Sequence, residues 1–156
     1  MQTELEIQRV TTSTNTPDDE QFLLWINAVP ATLDHSSRLT IRIVDEEEAR
    51  RFNRDYRNKD YPTNVLSFRA DLPEGLPEEI RHHQLGDILI CAPVVVRESL
   101  EQRRPEPDHW AHLTIHGVLH LLGYDHEQSD EAVVMESLET KILKKLGVPD
   151  PYLDIA

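Results

Sequence analysis

Apolar and polar residues alternate at two places in the first third of the chain. Over residues 3–10, Leu5 and Ile7 alternate with Glu4, Glu6 and Gln8, and over Arg38–Val44, Leu39, Ile41 and Ile43 alternate with polar partners. Both stretches read as half-buried strands. Between them, Thr11–Thr16 is a polar loop, and Asp18 or Asp19 caps a helix whose Phe22, Leu23, Ile26 and Val29 recur at helical spacing until Pro30 closes it. Asp45, with Glu48 three residues on, has the form of a capping box for a helix that turns Ala49 and Phe52 inward. That helix must stop before Pro62, and Tyr56–Tyr61 reads as the loop between them.

The second half continues with a strand over Asn64–Phe68 and a mobile connection over Ala70–His83, which holds two prolines and a glycine. Leu85–Ile90 is a fourth strand, more apolar than the first two and therefore central. Pro93 opens a helix through about Gln102, and Asp108 caps another that ends at Gly123. The last helix starts at Ser129 and carries Lys141, Lys144 and Lys145 near its end, before Gly147 and Pro149, the polarity that the helix dipole favours. The order β-α-β-α-β-β-α-α-α implies an α+β fold: one small mixed four-stranded sheet packed against several helices, in a single domain over residues 1–156.

Composition narrows the setting. The longest apolar run, Ile88–Val96, is nine residues and contains Pro93, against the ~20 residues a membrane span needs. The opening residues lack the apolar core of a signal peptide, and the single Cys91 fits a reducing, cytoplasmic setting. A formal charge of −13 argues against indiscriminate nucleic-acid binding. Against that background one stretch stands out: Arg50, Arg51, Arg54, Arg57 and Lys59 are five cations facing one acid, Asp55. Such a run is commonly a solvated helix face, but it also suits phosphate.

The chemistry concentrates in His116-Gly117-Val118-Leu119-His120-Leu121-Leu122-Gly123-Tyr124-Asp125-His126. Residues four apart share a helix face, so His116 and His120 can share one ion. His126 reaches that ion only if the helix ends, and Gly123 supplies the left-handed stop. Three neutral nitrogens leave one tetrahedral position for water, the arrangement of a catalytic zinc site. The spacing matches the metzincin pattern H-E-x-x-H-x-x-G-x-x-H, except that Gly117 stands where those proteases carry their glutamate base. The expected cofactor is therefore one divalent ion, with zinc favoured, although three imidazoles also suit nickel, copper or iron.

Two segments together resemble the bacterial YbeY family of metal-dependent endoribonucleases: Tyr56-Arg57-Asn58-Lys59-Asp60-Tyr61-Pro62-Thr63-Asn64-Val65-Leu66-Ser67-Phe68 and His116–His126, with Leu85-Gly86-Asp87-Ile88 between them. The resemblance runs from the second strand to the last helix. It implies a cytosolic single-strand-specific RNase acting in ribosomal RNA maturation, especially at the 3′ end of the small-subunit RNA, and in ribosome quality control. Its partners would be single-stranded RNA, ribosomal RNA, and the small ribosomal subunit with its associated factors. On this chain the resemblance makes His116, His120 and His126 the zinc ligands and Arg57 the functional arginine.

A guanidinium stays charged and clamps two phosphate oxygens at once, which suits Arg57 to phosphodiester cleavage. The plainer alternative is a surface ion pair with Asp55 or Asp60. Asp125 and Asp87 are the carboxylates available to orient a ligand imidazole, a supporting role favoured over proton transfer. His112, one helical step before His116, is read as a supporting histidine in preference to a fourth ligand. His82, His83 and His109 are expected at the surface, Tyr124 as a buried aromatic beside the site, and Trp25 and Trp110 as core anchors. Two rival functions remain: a metallopeptidase with altered base chemistry, and a ribosome-binding factor whose metal is structural.

Overall fold

The computed structural model describes residues 4–30, 38–70, 75, 84–125 and 127–153. Four strands, β1 (Glu4–Arg9), β2 (Arg38–Val44), β3 (Val65–Arg69) and β4 (Gln84–Cys91), form one sheet in the order β1-β2-β4-β3. β1, β2 and β4 run parallel, and β3 pairs antiparallel with β4 at the edge. The sheet is mixed, and the most apolar strand is internal. Five helices complete the described fold: α1 (Asp19–Asn27), α2 (Glu46–Arg57), α3 (Ala92–Glu101), α4 (Glu106–Leu121) and α5 (Ser129–Lys145).

Period-two alternation divides the core. Ile41 lies in register with Ile7 and Ile88, and Ile43 with Ile90, so one sheet face is a row of β-branched side chains. That face is covered by Phe22, Trp25 and Ile26 of α1, Trp110, Ile115 and Leu119 of α4, and Met135, Ile142 and Leu143 of α5. Phe22 meets Trp25 and Trp110 edge-on at 5.5 and 6.1 Å, so both tryptophans are anchors as expected. Each large side chain removed from water here contributes about 1.5–3 kcal/mol. The opposite face is smaller: Val44, Leu66 and Leu89 pack under Ala49 and Phe52 of α2.

Several boundaries differ from the sequence expectation, for local reasons. Asp45 does precede α2, but its side chain makes no cap bond. It accepts instead from the Thr11 hydroxyl and from the Thr12 amide and hydroxyl at 3.1 and 2.9 Å, tying the loop after β1 to the end of β2. Those bonds, Thr11 first, hold the Asp45 carboxyl below its ordinary range. Glu48 is likewise taken by Arg42, at 3.0 Å to Nη2. α2 runs on through Tyr56 and Arg57 and ends at Asn58, a left-handed residue with φ 57°. This places Arg57 in the last helical turn, not in the loop. α4 begins two residues before Asp108, after Pro105, because Pro107 fits a first turn whose N–H groups are unpaired anyway. Most of the Ala70–His83 connection, residues 71–74 and 76–83, lies outside the described residues, as do His82 and His83.

Gly86 carries the junction between β3 and β4. The register of β2 on β4 slips beside it, with Arg38 opposite Gln84 and Leu39 opposite Gly86. Its φ is +135°, and a Cβ there would stand 2.1 Å from the Phe68 carbonyl oxygen. The obstruction is backbone, which cannot step aside. Gly86→Ala is therefore expected to cost about 3 kcal/mol or more of unfolding free energy in urea denaturation. A loss under about 0.5 kcal/mol would show that the β3–β4 pairing tolerates a side chain here.

Candidate active site

α4 presents a stripe of imidazoles along one face. Ring centroids are 6.1 Å apart from His109 to His112, 6.3 Å from His112 to His116 and 4.6 Å from His116 to His120. The reverse of the helix meets the sheet at Gly117. A Cβ at that position would lie 2.9 Å from Ile88 Cδ1 and 3.2 Å from Ser67 Oγ, and the Ser67 hydroxyl donates to the Gly117 carbonyl at 3.1 Å. The residue that would carry a peptidase base thus points into packed sheet, away from the histidines.

His116 Nε2 and His120 Nε2 converge to 3.1 Å. Two nitrogens on one tetrahedral zinc stand roughly 3.3–3.4 Å apart, so this pair fits a shared ion with little adjustment. α4 then ends in a Schellman turn: Gly123 N–H donates to His120 O and Tyr124 N–H to Leu119 O, both at 3.0 Å, with Gly123 at φ +108°. Arg69 adds a donor to the His120 carbonyl at 3.4 Å, where a cation favours the helix C-terminus. His126, the expected third ligand, lies outside the described residues.

The carboxylate that orients His116 is Glu139 of α5, which the sequence reading passed over. It is fully buried. It accepts from His116 Nδ1 and from the Tyr152 hydroxyl, and from His112 Nε2 at 3.4 Å. Burial alone would raise this carboxyl, but the bonds from His112 and His116, with Tyr152, outweigh it and hold it at about 2. An ionised Glu139 is acceptor-only, so the His116 proton sits on Nδ1 and Nε2 is the nitrogen turned toward His120. His112 is a supporting histidine, as expected.

The same logic continues along the stripe. Arg104 Nη1 stands 3.4 Å from His112 Nδ1 and 3.2 Å from His109 Nδ1, and an arginine can only donate. His109 Nε2 then donates to Glu98 at 2.9 Å, and Asn64 Nδ2 donates to the same oxygen at 3.0 Å. His109 is thus buried, not superficial. Its place is fixed by a carboxylate on α3 that no local pattern announces. Asp87 does not orient a ligand: it is exposed and alternates with Ile88, so it faces away from α4. Asp125 is half-buried, and Tyr124 is exposed at 38 %, because the turn leaves the helix just where its ring would need cover.

Arg57 shares a cleft with His116 and His120. The cleft encloses about 170 Å³ and is also lined by Asn53, Lys59, Tyr61 and Asn64. The acids that might have paired with Arg57 are otherwise engaged. Asp60 binds Arg50 through both oxygens at 2.7 and 3.0 Å, and Asp55 binds Arg54 at 3.2 Å. Arg51 reaches Glu48 at 3.8 Å. Among the described residues, Arg57 and Lys59 are the members of the basic run with no ion pair.

Residues 6–147 match the model of the family described as Endoribonuclease YbeY. The chain is 53% identical over 152 residues to the Endoribonuclease YbeY of Alkalilimnicola ehrlichii, covering 96% of this chain and 90% of that one. It is 53% identical over 149 residues to the protein of the same name from Halorhodospira halophila, with 96% of each covered. Among solved structures, the solution structure of TM1509 from Thermotoga maritima superposes with a TM-score of 0.55 at 19% identity, over 96% of this chain and 98% of that one. That likeness concerns the fold.

Two substitutions examine this geometry. Glu139→Gln keeps the shape but removes the charge that fixes the His116 tautomer, so zinc affinity in a chelator competition should fall about 10–100-fold with the fold retained. Unchanged affinity would reduce Glu139 to a packing role. Gly117→Glu completes the peptidase pattern on paper, yet it forces a carboxylate into the sheet. It should lose about 3 kcal/mol or more of stability and gain no peptidase activity. A stable variant would mean that α4 is not pressed against β4.

Proposed function

Because the chain belongs to the YbeY endoribonuclease family, we propose that it cuts single-stranded RNA in the cleft between α2 and α4 with one divalent ion, zinc, held by His116, His120 and His126. The chain is an endoribonuclease, a hydrolase of RNA phosphodiester bonds. The observation that carries the reading of the site is the meeting of the converging Nε2 pair with Arg57 and Lys59 in one cleft.

A divalent ion at such a site lowers the pKa of water and polarises a phosphoryl oxygen. The protein's own groups do the rest. Arg57 grips two phosphate oxygens and opposes the charge that grows there as the phosphodiester is attacked. Lys59 adds a second positive charge at the rim. Asn64, held through Glu98, and Ser67, held on Gly117, are polar walls fixed by their own hydrogen bonds. Glu139 keeps the His116 ring from turning and its Nδ1 protonated.

The biological task that suits this activity is maturation of ribosomal RNA, above all at the 3′ end of the small-subunit RNA, and removal of defective ribosomes in the cytoplasm. Its partners would be the small subunit and the factors bound there. No helix among the described residues is long and apolar enough to cross a membrane. The peptidase reading loses its support at Gly117, where a base has no room.

The test is to incubate purified protein, with and without chelator, against single-stranded RNA and against unfolded protein. Cleavage of RNA alone, abolished by the chelator and restored by zinc, is expected. A metal-loaded protein that cuts neither substrate would favour a binding factor with a structural ion. Arg57→Lys keeps the charge but loses the fork, so turnover should fall about 100-fold with metal content unchanged. Loss of metal in that variant would assign Arg57 to maintaining the site instead.

A further inference from the structure

Tyr61 is held firmly in place yet stays half exposed. Its carbonyl accepts from Asn53 Nδ2 at 2.9 Å, and Asn53 is itself a buried residue of α2. The neighbouring Asp60 is clamped by Arg50, and the Lys59 amide donates to the Asn53 carbonyl at 3.3 Å. This short loop is therefore pinned to α2 at successive residues, while Tyr61 remains 52% exposed.

Tyr61 lines two hollows. One is the cleft with Arg57, His116 and His120. The other is a groove of about 420 Å³ that Tyr61 and Pro62 share with Arg50, Asp60, Glu46 and Glu47. Tyr56, the other exposed tyrosine nearby, is differently placed: Phe52 stacks on it at 5.8 Å and Phe68 meets it at 5.2 Å. Tyr61 has no aromatic partner among the described residues.

We propose that Tyr61 and the groove beside it form a nucleobase subsite, in which the base next to the phosphate held by Arg57 stacks on the Tyr61 ring. This rests on the endoribonuclease reading of the cleft and adds the means by which it selects its substrate. A tyrosine fixed by its backbone offers a flat apolar face at small entropic cost, and every base can use it, so the contact is indifferent to sequence. It does require a base that has left its own stack. A single strand offers one, and the interior of a helix does not.

The experiment measures steady-state cleavage of a single-stranded oligoribonucleotide by the zinc-loaded protein and its Tyr61→Ala and Tyr61→Phe variants, after melting temperature and zinc content are matched. Tyr61→Ala should raise KM about tenfold with kcat within about twofold, and Tyr61→Phe should restore it. An abasic residue walked through the positions flanking the cut should, at one of them, raise the wild-type KM by the same factor and erase the difference between wild type and Tyr61→Ala. A Tyr61→Ala penalty that persists on every abasic substrate, an unchanged KM, or a KM rise for Tyr56→Ala in its place would overturn the subsite. A wild-type protein that cleaves no RNA would instead overturn the endoribonuclease reading beneath it.

Discussion

Helix α4 can bear its histidines toward the cleft because it lies almost on the sheet at Gly117, where hydrogen replaces a side chain. Everything at the site follows from that contact. It fixes the rotation of α4, so that Leu113, Val118 and Leu121 go to the core and the imidazoles line up on the free side. It brings β3, with Ser67, against the helix turn that carries His116 and His120 and so draws the loop before β3 alongside. That loop joins α2, whose last turn carries Arg57. A single close approach thus sets the separation between the imidazoles and the guanidinium.

The histidines are then held by charge buried at some expense. Removing a carboxylate from water is costly unless every oxygen is paired. Glu139 meets that condition with His116 on one oxygen and His112 and Tyr152 on the other. Glu98, only partly buried, is held through one oxygen that accepts from both His109 and Asn64, and those bonds hold its carboxyl below the ordinary range although burial opposes them. Arg104, donating to both supporting histidines, links the two carboxylate groups. The polar chain therefore reaches from Asn64, on one wall of the cleft, round to His116 on the other. Its carboxylates are hydrogen-bonded, while Arg104 Nη2 is buried without a hydrogen-bond partner among the described residues, and the bonds that are made hold the imidazoles in the fixed geometry a reaction requires.

What could be read from the sequence was local. His116 and His120 are a helical turn apart, and Gly123 announces its own conformation. β4 shows its central place by being more apolar than β1 and β2. What escaped was set by distant partners. Asp45 and Glu48 have capping-box spacing, yet Thr11 and Arg42 engage them first. Glu139 sits in a helix full of acids, and its partner lies 23 positions earlier. One signal was available: Met135, Leu138, Ile142 and Leu143 mark the inward face of α5, and Glu139 falls on it. A lone carboxylate on an apolar face has to find a cation or a proton donor.

The acidic net charge and an RNA substrate are reconciled at the scale of the cleft. The chain carries −13 overall, but screening confines each surface charge to about 8–10 Å at physiological salt. Within that range a bound phosphate would meet Arg57 and Lys59, whose near acids are neutralised by Arg50 and Arg54. The central claim is the ion itself and its nitrogen donors. X-ray absorption at the zinc edge of the metal-loaded protein tests it most directly. Three nitrogen donors and one oxygen donor, at about 2.0–2.1 Å, are the expected result. A sulfur donor, four nitrogens, or zinc that fails to remain with the protein would contradict the account.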